Sequence, residues 1–263
     1  MPSQLSIALF CGGTVLKLAL LTRMWQLKLF NRYQIATACL SFSLFRATAV
    51  LCLSQMGNIR AYFWLFYTTQ PILWVLYFLL LLEFYSLMLE EFPGIRRLAR
   101  ILLFSGLGTA VTVCSILMIL EKPSGSIQAP WLAFSVLQDR SVFLCLSALT
   151  ALFFLLVSYY RLPISRNLWV LSASFGGYFI LSSALSAVFG YLGDDFTSAR
   201  NVANSVSYLG ALLSASLLLS KAGESQDHRV SAPWRRGNRE LELALMAQLQ
   251  DFNQVLGRLL RSW

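Results

Sequence analysis

The most constraining feature of this sequence is the apolar stretch within residues 61–97, which reads AYFWLFYTTQPILWVLYFLLLLEFYSLMLEEFPGIRR. Before its acidic and basic end, its one charged residue is Glu83. About twenty apolar residues in a helix cross the ~30 Å core of a bilayer, so this run predicts a membrane-spanning helix. Proline and glycine at Pro93 and Gly94 predict where that helix ends.

The composition of the whole chain is also typical of a membrane protein. Its 263 residues are 57% hydrophobic and only 13% charged, whereas about a quarter of the residues in soluble domains are charged. A net charge of +9 could suggest nucleic-acid binding, but the basic residues cluster at the ends of apolar runs rather than on one soluble face. We therefore expect the lipid bilayer as a partner, and no nucleic acid.

Seven apolar runs predict an all-α fold, a polytopic seven-transmembrane-helix bundle within residues 1–221. The predicted spans cover residues 4–22, 34–54, 61–91, 98–120, 130–161, 167–192 and 201–220. Three Lys or Arg residues follow the first span, three follow the third, two follow the fifth and seven lie in the tail, against four on the opposite side. Because cytoplasmic loops are rich in Lys and Arg, we expect the N-terminus outside and the C-terminus in the cytosol, across the plasma (inner) membrane.

The chain after the last span predicts a cytosolic linker and an amphipathic helix. Residues 222–237 are polar, and residues 238–263 repeat apolar side chains at alternating spacings of four and three. This heptad-like pattern favours self-association or docking against a protein partner. A helix on the membrane surface is the alternative, although the charges of the segment balance, whereas such helices usually have a basic face.

A small group of polar residues within or at the edges of the spans is the candidate functional cluster. They are Arg46, Glu83, Asp139, Arg140, Asn201 and Asn204. Ionisable groups at membrane depth are costly to expose to lipid, so they should face the bundle. Counting residues puts Glu83 in the inner half and the others in the outer half, so Arg46 should pair with Asp139 or the asparagines. Lys17 lies close enough to the inner boundary to extend toward it.

Two interpretations of this cluster stay open. The residues could staple the helices together, or they could bind a ligand, an ion or a proton. No catalytic set, cofactor site or metal site is predicted: the single histidine, His228, lies in the tail, and the five cysteines lack metal-binding spacing. We therefore expect a protein that is not an enzyme.

The order of several short motifs resembles a group of uncharacterised bacterial seven-helix integral membrane proteins. The motifs are Arg46 in the second span, Tyr62-Phe63, Glu83 with Glu91-Phe92-Pro93-Gly94, Asp139-Arg140, Arg166-Asn167, and Asn201 with Asn204. The resemblance covers about residues 36–219. It implies a plasma-membrane location and no known activity.

Three classes of function fit these features. A sensor or signalling-type module is favoured by the odd number of spans, the outside N-terminus and the heptad-like tail. A small-molecule transporter would need access from both sides, with broken helices at Pro71 or Gly176-Gly177. A structural or assembly factor of a membrane complex would use the polar residues only as staples.

Overall fold

The computed structural model is helical throughout its regular structure in the residues that it describes, which confirms the all-α class. These are residues 4–56, 59–90, 130–160, 164–192 and 197–224, with isolated positions between 92 and 116 and between 247 and 258. Within them lie six long helices and a final 3-10 turn. They are α1 (Gln4–Gln26), α2 (Gln34–Gln55), α3 (Ile59–Met88), α4 (Pro130–Tyr160), α5 (Arg166–Leu192), α6 (Thr197–Leu218) and the turn Lys221–Glu224.

These six helices begin and end within four residues of six of the predicted spans. The remaining predicted span, 98–120, falls mostly outside the described residues, as do the linker 222–237 and the tail helix 238–263. Of the described positions in the predicted fourth span, Gly106 lies against α4, where its carbonyl oxygen is 3.6 Å from the Cys145 sulfur. Described positions in the tail, including Asp251 and Val255, are helical.

Five helices in the described part of the chain are long and apolar enough to cross a membrane. The candidate segments are Ala8–Gln26, Gln34–Leu53, Arg60–Met88, Asp139–Tyr159 and Arg166–Val188. Large apolar side chains point away from the bundle on these helices, as Leu18, Phe45 and Leu155 do. Exposed apolar surface on this scale is typical of contact with lipid. The helix α6, with its serines and asparagines, is not among these candidate spans.

The six helices form a ring in chain order. Each helix packs against the next one along the chain, and α6 returns to pack against α1. The helix α3 also contacts α5 across the ring, and it is the most buried of the five candidate spans. Its side chains Leu80 and Phe84 are completely buried. The stretch that dominates the sequence is therefore the centre of the structure.

Both helices in which the transport hypothesis expects a break are continuous. Pro71 lies inside α3, and the hydroxyl of Thr69, two residues earlier, donates to the Leu65 carbonyl oxygen at 2.6 Å. This bond does not replace the one that Pro71 removes, which would have reached the Tyr67 carbonyl oxygen, but the helix continues through that turn. At Gly176 in α5, a Cβ would overlap Thr150 Cγ2 of α4. This glycine lets α4 and α5 approach closely rather than breaking α5.

Candidate functional site

The carboxylate of Glu83 caps the beginning of α2. It accepts hydrogen bonds from the backbone amides of Ile35 and Ala36, both at 2.9 Å. Amides in the first turn of a helix have no partner within the helix, and the helix dipole attracts negative charge to this end. Because Glu83 is only 8% exposed, this contact fastens the last turns of α3 to the start of α2.

This position separates Glu83 from the other residues of the predicted cluster. The residue count predicts that Glu83 and Arg46 lie at different depths, and the structure does not join them. A signal for the actual partner was present in the sequence: the second predicted span begins at residue 34, at the depth expected for Glu83. The free amides of that helix end are the nearest donors that such a carboxylate can use.

Asp139 contacts two side chains of α3 that belong to no predicted site. Its Oδ1 accepts hydrogen bonds from Gln70 Nε2 at 2.8 Å and from Trp74 Nε1 at 2.6 Å. Gln70 and Trp74 are four residues apart, so they lie on the same face of α3. A glutamine within an apolar run needs a hydrogen-bonding partner, which is the sequence signal that points to this contact.

Arg46 lies over an aromatic ring and does not bond directly to Asp139. Its guanidinium carbon is 4.5 Å from the centroid of the Phe66 ring. Asp139 attracts Arg46 electrostatically, but Arg46 Nη2 is buried without a hydrogen-bond partner among the described residues. The expectation that Arg46 bonds to Asp139 or to the asparagines is therefore wrong. The Oδ1 atom of Asp139 accepts from two side chains of α3, and Arg46 packs on the Phe66 ring instead.

The two asparagines of α6 have different surroundings. Asn204 Oδ1 accepts a hydrogen bond from the Ser182 hydroxyl of α5. Asn201, one turn earlier, has an exposed side chain. A pocket of about 110 Å³ lies where α4, α5 and α6 meet, and its polar lining comprises Asp139, Arg140, Ser182, Ser186, Arg200, Asn201 and Asn204. Four of the six predicted cluster residues therefore line one small cavity.

Lys17 is buried in the bundle, so the expectation that it extends to the membrane boundary is wrong. The residue is 9% exposed, and its Nζ is 5.2 Å from the centroid of the Tyr208 ring of α6. Among the described residues, no carboxylate forms an ion pair with Lys17. The aromatic face of Tyr208 supplies a favourable site for the ammonium inside the bundle, which the lysine adopts instead of the boundary.

A larger pocket, of about 360 Å³, lies between α1 and α6 and includes Lys17 in its lining. The other lining residues come from the first half of α1 and from residues 198–209 of α6. They are Leu9, Phe10 and Gly13 of α1 and Ser198, Asn201, Val202, Ser205, Tyr208 and Leu209 of α6. We call this cavity the α1–α6 pocket. Since Asn201 also lines the smaller cavity, the two pockets are neighbours along the first turns of α6.

The far end of α6 is held by α1 and α5. Arg23 of α1 donates from Nη2 to the Leu219 carbonyl oxygen at 2.7 Å. Asn167 of α5 donates from Nδ2 to the Ser220 carbonyl oxygen at 2.8 Å and accepts from the Ser220 amide at 3.1 Å. These contacts satisfy groups that a helix end leaves open. We call Arg23, Asn167 and residues 219–224 the α6 junction.

The described residues contain no group of three or more His, Cys, Asp and Glu side chains that could hold a metal ion. Comparison of the chain with known protein families, with curated proteins and with solved structures finds no match. Buried Lys17 lines the larger cavity, and Arg140 and Arg200 line the smaller one. One helix, α6, connects both cavities to the α6 junction.

Proposed function

We propose that this chain is a seven-helix sensor or signalling-type module of the plasma membrane. In this proposal a ligand binds beside the first half of α6. The resulting movement of α6 is transmitted to the segment that follows the α6 junction. One observation carries the proposal: α6 lines both pockets near its start, while α1 and α5 hold its last carbonyls through Arg23 and Asn167.

The distance between the two ends suits a rigid helical connection. From Asn201 to Leu219 a helix rises about 27 Å at ~1.5 Å per residue. Small shifts and rotations of a packed helix are a common way to carry a signal across a protein. The two halves of α6 also differ, because polar side chains near its start line the pockets while Leu213 and Leu217 near its end are exposed.

The proposal includes the membrane topology that the charge distribution favours. It has seven spans, an outside N-terminus and a cytosolic C-terminus, so that the pockets open toward the outer half and the α6 junction lies near the cytosol. Arg23, Lys28 and Arg32 then fall on the same side as the tail, in agreement with the positive-inside rule. The tail helix, residues 238–263, would contact a protein partner or a second copy.

Stapling alone does not explain the polar residues. Glu83 and Asn167 do fasten helices, since each has its bonding groups engaged by a neighbouring helix. Lys17 and Arg46 are different, because each is held by an aromatic ring while no carboxylate pairs with it in the described structure. A buried cation without a counter-charge costs free energy, which favours a role in binding an anion.

The coupling can be tested without knowing the ligand, by filling the α1–α6 pocket with a side chain. Gly13 lines this pocket, and a Cβ there would meet Leu209 Cδ2 at 3.6 Å, an ordinary contact. We expect Gly13→Leu to add contacts between α1 and α6 and so to slow amide hydrogen exchange of residues 219–224. The measurement uses the full chain in phosphatidylcholine nanodiscs and mass spectrometry.

Gly177→Leu in α5 is the matched control. Gly177 lines neither pocket, and its Cβ position has no atom within 4 Å, so exchange at the α6 junction should stay at the wild-type rate. Equal rates at residues 219–224 in wild type, Gly13→Leu and Gly177→Leu would contradict the proposed coupling.

A further inference from the structure

We infer that the α1–α6 pocket binds a small amphiphilic monoanion, with its charged group at Lys17 and its apolar body between α1 and α6. The inference rests on the proposed function, because it names the ligand class of the same site. It also makes a separate claim about chemistry, which a binding measurement tests independently of signalling.

The charge of the ligand follows from what surrounds Lys17. Its ammonium packs on Tyr208, and Arg46 of α2 is close enough to repel it electrostatically. The two carboxylates inside the described bundle are engaged elsewhere, Glu83 by α2 and Asp139 by Gln70 and Trp74. This end of the pocket is therefore electropositive, and a negative group placed there would gain a charge-assisted hydrogen bond from Lys17.

The number of charges follows from the lining of the pocket. Among the described residues that line it, Lys17 is the only charged side chain, and the other polar groups are neutral, including Ser198, Asn201 and Tyr208. One ammonium balances one negative charge. Sites for doubly charged phosphates usually present arginine forks or several cations. The lining thus favours a singly charged group, such as a carboxylate.

The apolar part of the ligand follows from the walls. Leu9 and Phe10 of α1 face Val202 and Leu209 of α6, and Gly13 leaves room between the two helices. A volume of about 360 Å³ is at the small end of the usual range for ligand pockets, about 300–1,000 Å³. The pocket therefore suits a compact ligand in which one charge is attached to a short hydrocarbon or aromatic body.

Two sources share this chemistry. The occupant is either a free carboxylate that enters from the membrane or the water, or the headgroup region of an acidic lipid. Both have one negative charge and an attached apolar chain, and both would use Lys17. The experiment therefore includes one arm for each source.

The test measures saturable binding of radiolabelled octanoate to the full chain in phosphatidylcholine nanodiscs, with empty nanodiscs subtracted. We expect one site per chain, and a loss of affinity of about tenfold or more in Lys17→Met, which removes the charged partner. Gly13→Leu should also abolish binding, because it fills the pocket. Two control variants should bind octanoate as the wild type does. Lys28→Met removes an exposed cation, and Gly210→Leu replaces an α6 glycine whose Cβ position has no atom within 4 Å.

Octanol competing as well as octanoate, or Lys17→Met binding as tightly as wild type, would overturn the inference. Nanodiscs that contain phosphatidylglycerol separate the two sources: competition with octanoate assigns the site to an acidic lipid, and lack of competition assigns it to a free carboxylate. The inference is also overturned if octanoate shows no saturable binding and phosphatidylglycerol binds equally well to the wild type and to Lys17→Met. Octanoate binding that leaves exchange at residues 219–224 unchanged would instead contradict only the proposed function.

Discussion

The hydrogen-bonding and ring partners of the charged groups inside the described bundle are neutral, although Asp139 and Arg46 also attract each other. Glu83 accepts from backbone amides, and Asp139 accepts from an amide and an indole. Lys17 and Arg46 lie on the rings of Tyr208 and Phe66. Hydrogen bonds stabilise the charge of a buried carboxylate well. An aromatic ring offsets the cost of burying a cation less completely. Of these two cations Lys17 also lines a pocket, so it is the group that can still bind an external partner.

The cap formed by Glu83 predicts a specific loss of stability. In Glu83→Gln one of the two oxygens that accept the Ile35 and Ala36 amides is replaced by a donor NH2 group, and the helix dipole of α2 loses its counter-charge. We expect the free energy of unfolding to fall by about 1–2 kcal/mol. Unfolding in mixed detergent micelles measures this change. The control is Glu90→Gln, seven residues later and exposed, which should leave stability unchanged; an equal loss in both variants would contradict the cap.

The sequence could identify which residues needed partners, but not which partners they have. Arg46, Glu83, Asp139 and Asn204 are polar groups in or beside apolar runs, and each of them is in contact with a neighbouring helix. Their partners lie far away in sequence, as Glu83 does from Ile35 and Asp139 from Gln70. The depth of a residue in the membrane limits which partners it can reach, but the rotation of each helix about its axis decides among them. That rotation is hard to read from the sequence, because most of the helices have no strongly one-sided apolar pattern.

At the scale of the helices, the positions of the spans were readable because apolar runs have a minimum length in a bilayer. The largest differences, four residues each, are at the end of α1, which continues to Gln26 rather than to residue 22, and at the beginning of α6. The helix α6 starts at Thr197 rather than at residue 201, and this difference affects the candidate site. This first turn contains Ser198 and Arg200, polar residues that composition alone cannot distinguish from a loop. The same turn lines both pockets, so the part of α6 that sequence reasoning missed belongs to the candidate site.

The close approach of α4 and α5 predicts contrasting effects of two adjacent substitutions. A Cβ at Gly176 would overlap Thr150 Cγ2 and lie 3.2 Å from Phe154 Cε2, whereas a Cβ at Gly177 meets no atom within 4 Å. We expect Gly176→Ala to lower the free energy of unfolding by about 1–3 kcal/mol through overpacking. Gly177→Ala should keep or raise it by up to about 1 kcal/mol, because alanine favours helix. Equal effects in a thermal unfolding series would contradict this packing.

At the scale of the whole molecule, the ring of helices brings the two ends of the described bundle together. The pairing of α1 with α6 creates the α1–α6 pocket at one end and the contact of Arg23 with Leu219 at the other. No local pattern in the sequence predicts this pairing, because the two helices are separated by almost the whole chain. The helical class and the membrane character were predictable from composition; the site was not, since it depends on this closure.

The proposed topology predicts that the two termini lie on opposite sides of the membrane. A tag before the first span should be accessible to membrane-impermeant label in intact cells, and a tag after residue 263 should react only after permeabilisation. This result requires an odd number of spans, and hence a crossing within residues 98–120 if all six described helices cross. Both tags on one side would contradict the seven-span topology.

The most direct test of the central claim is amide hydrogen exchange at residues 219–224 in nanodiscs, with and without octanoate. A ligand that bridges α1 and α6 stabilises the bound arrangement, so we expect slower exchange at the α6 junction in the wild-type chain. The same concentration should have no effect in Lys17→Met. Saturable octanoate binding with unchanged exchange at residues 219–224 in the wild-type chain would contradict the claim that α6 connects an anion site to the α6 junction.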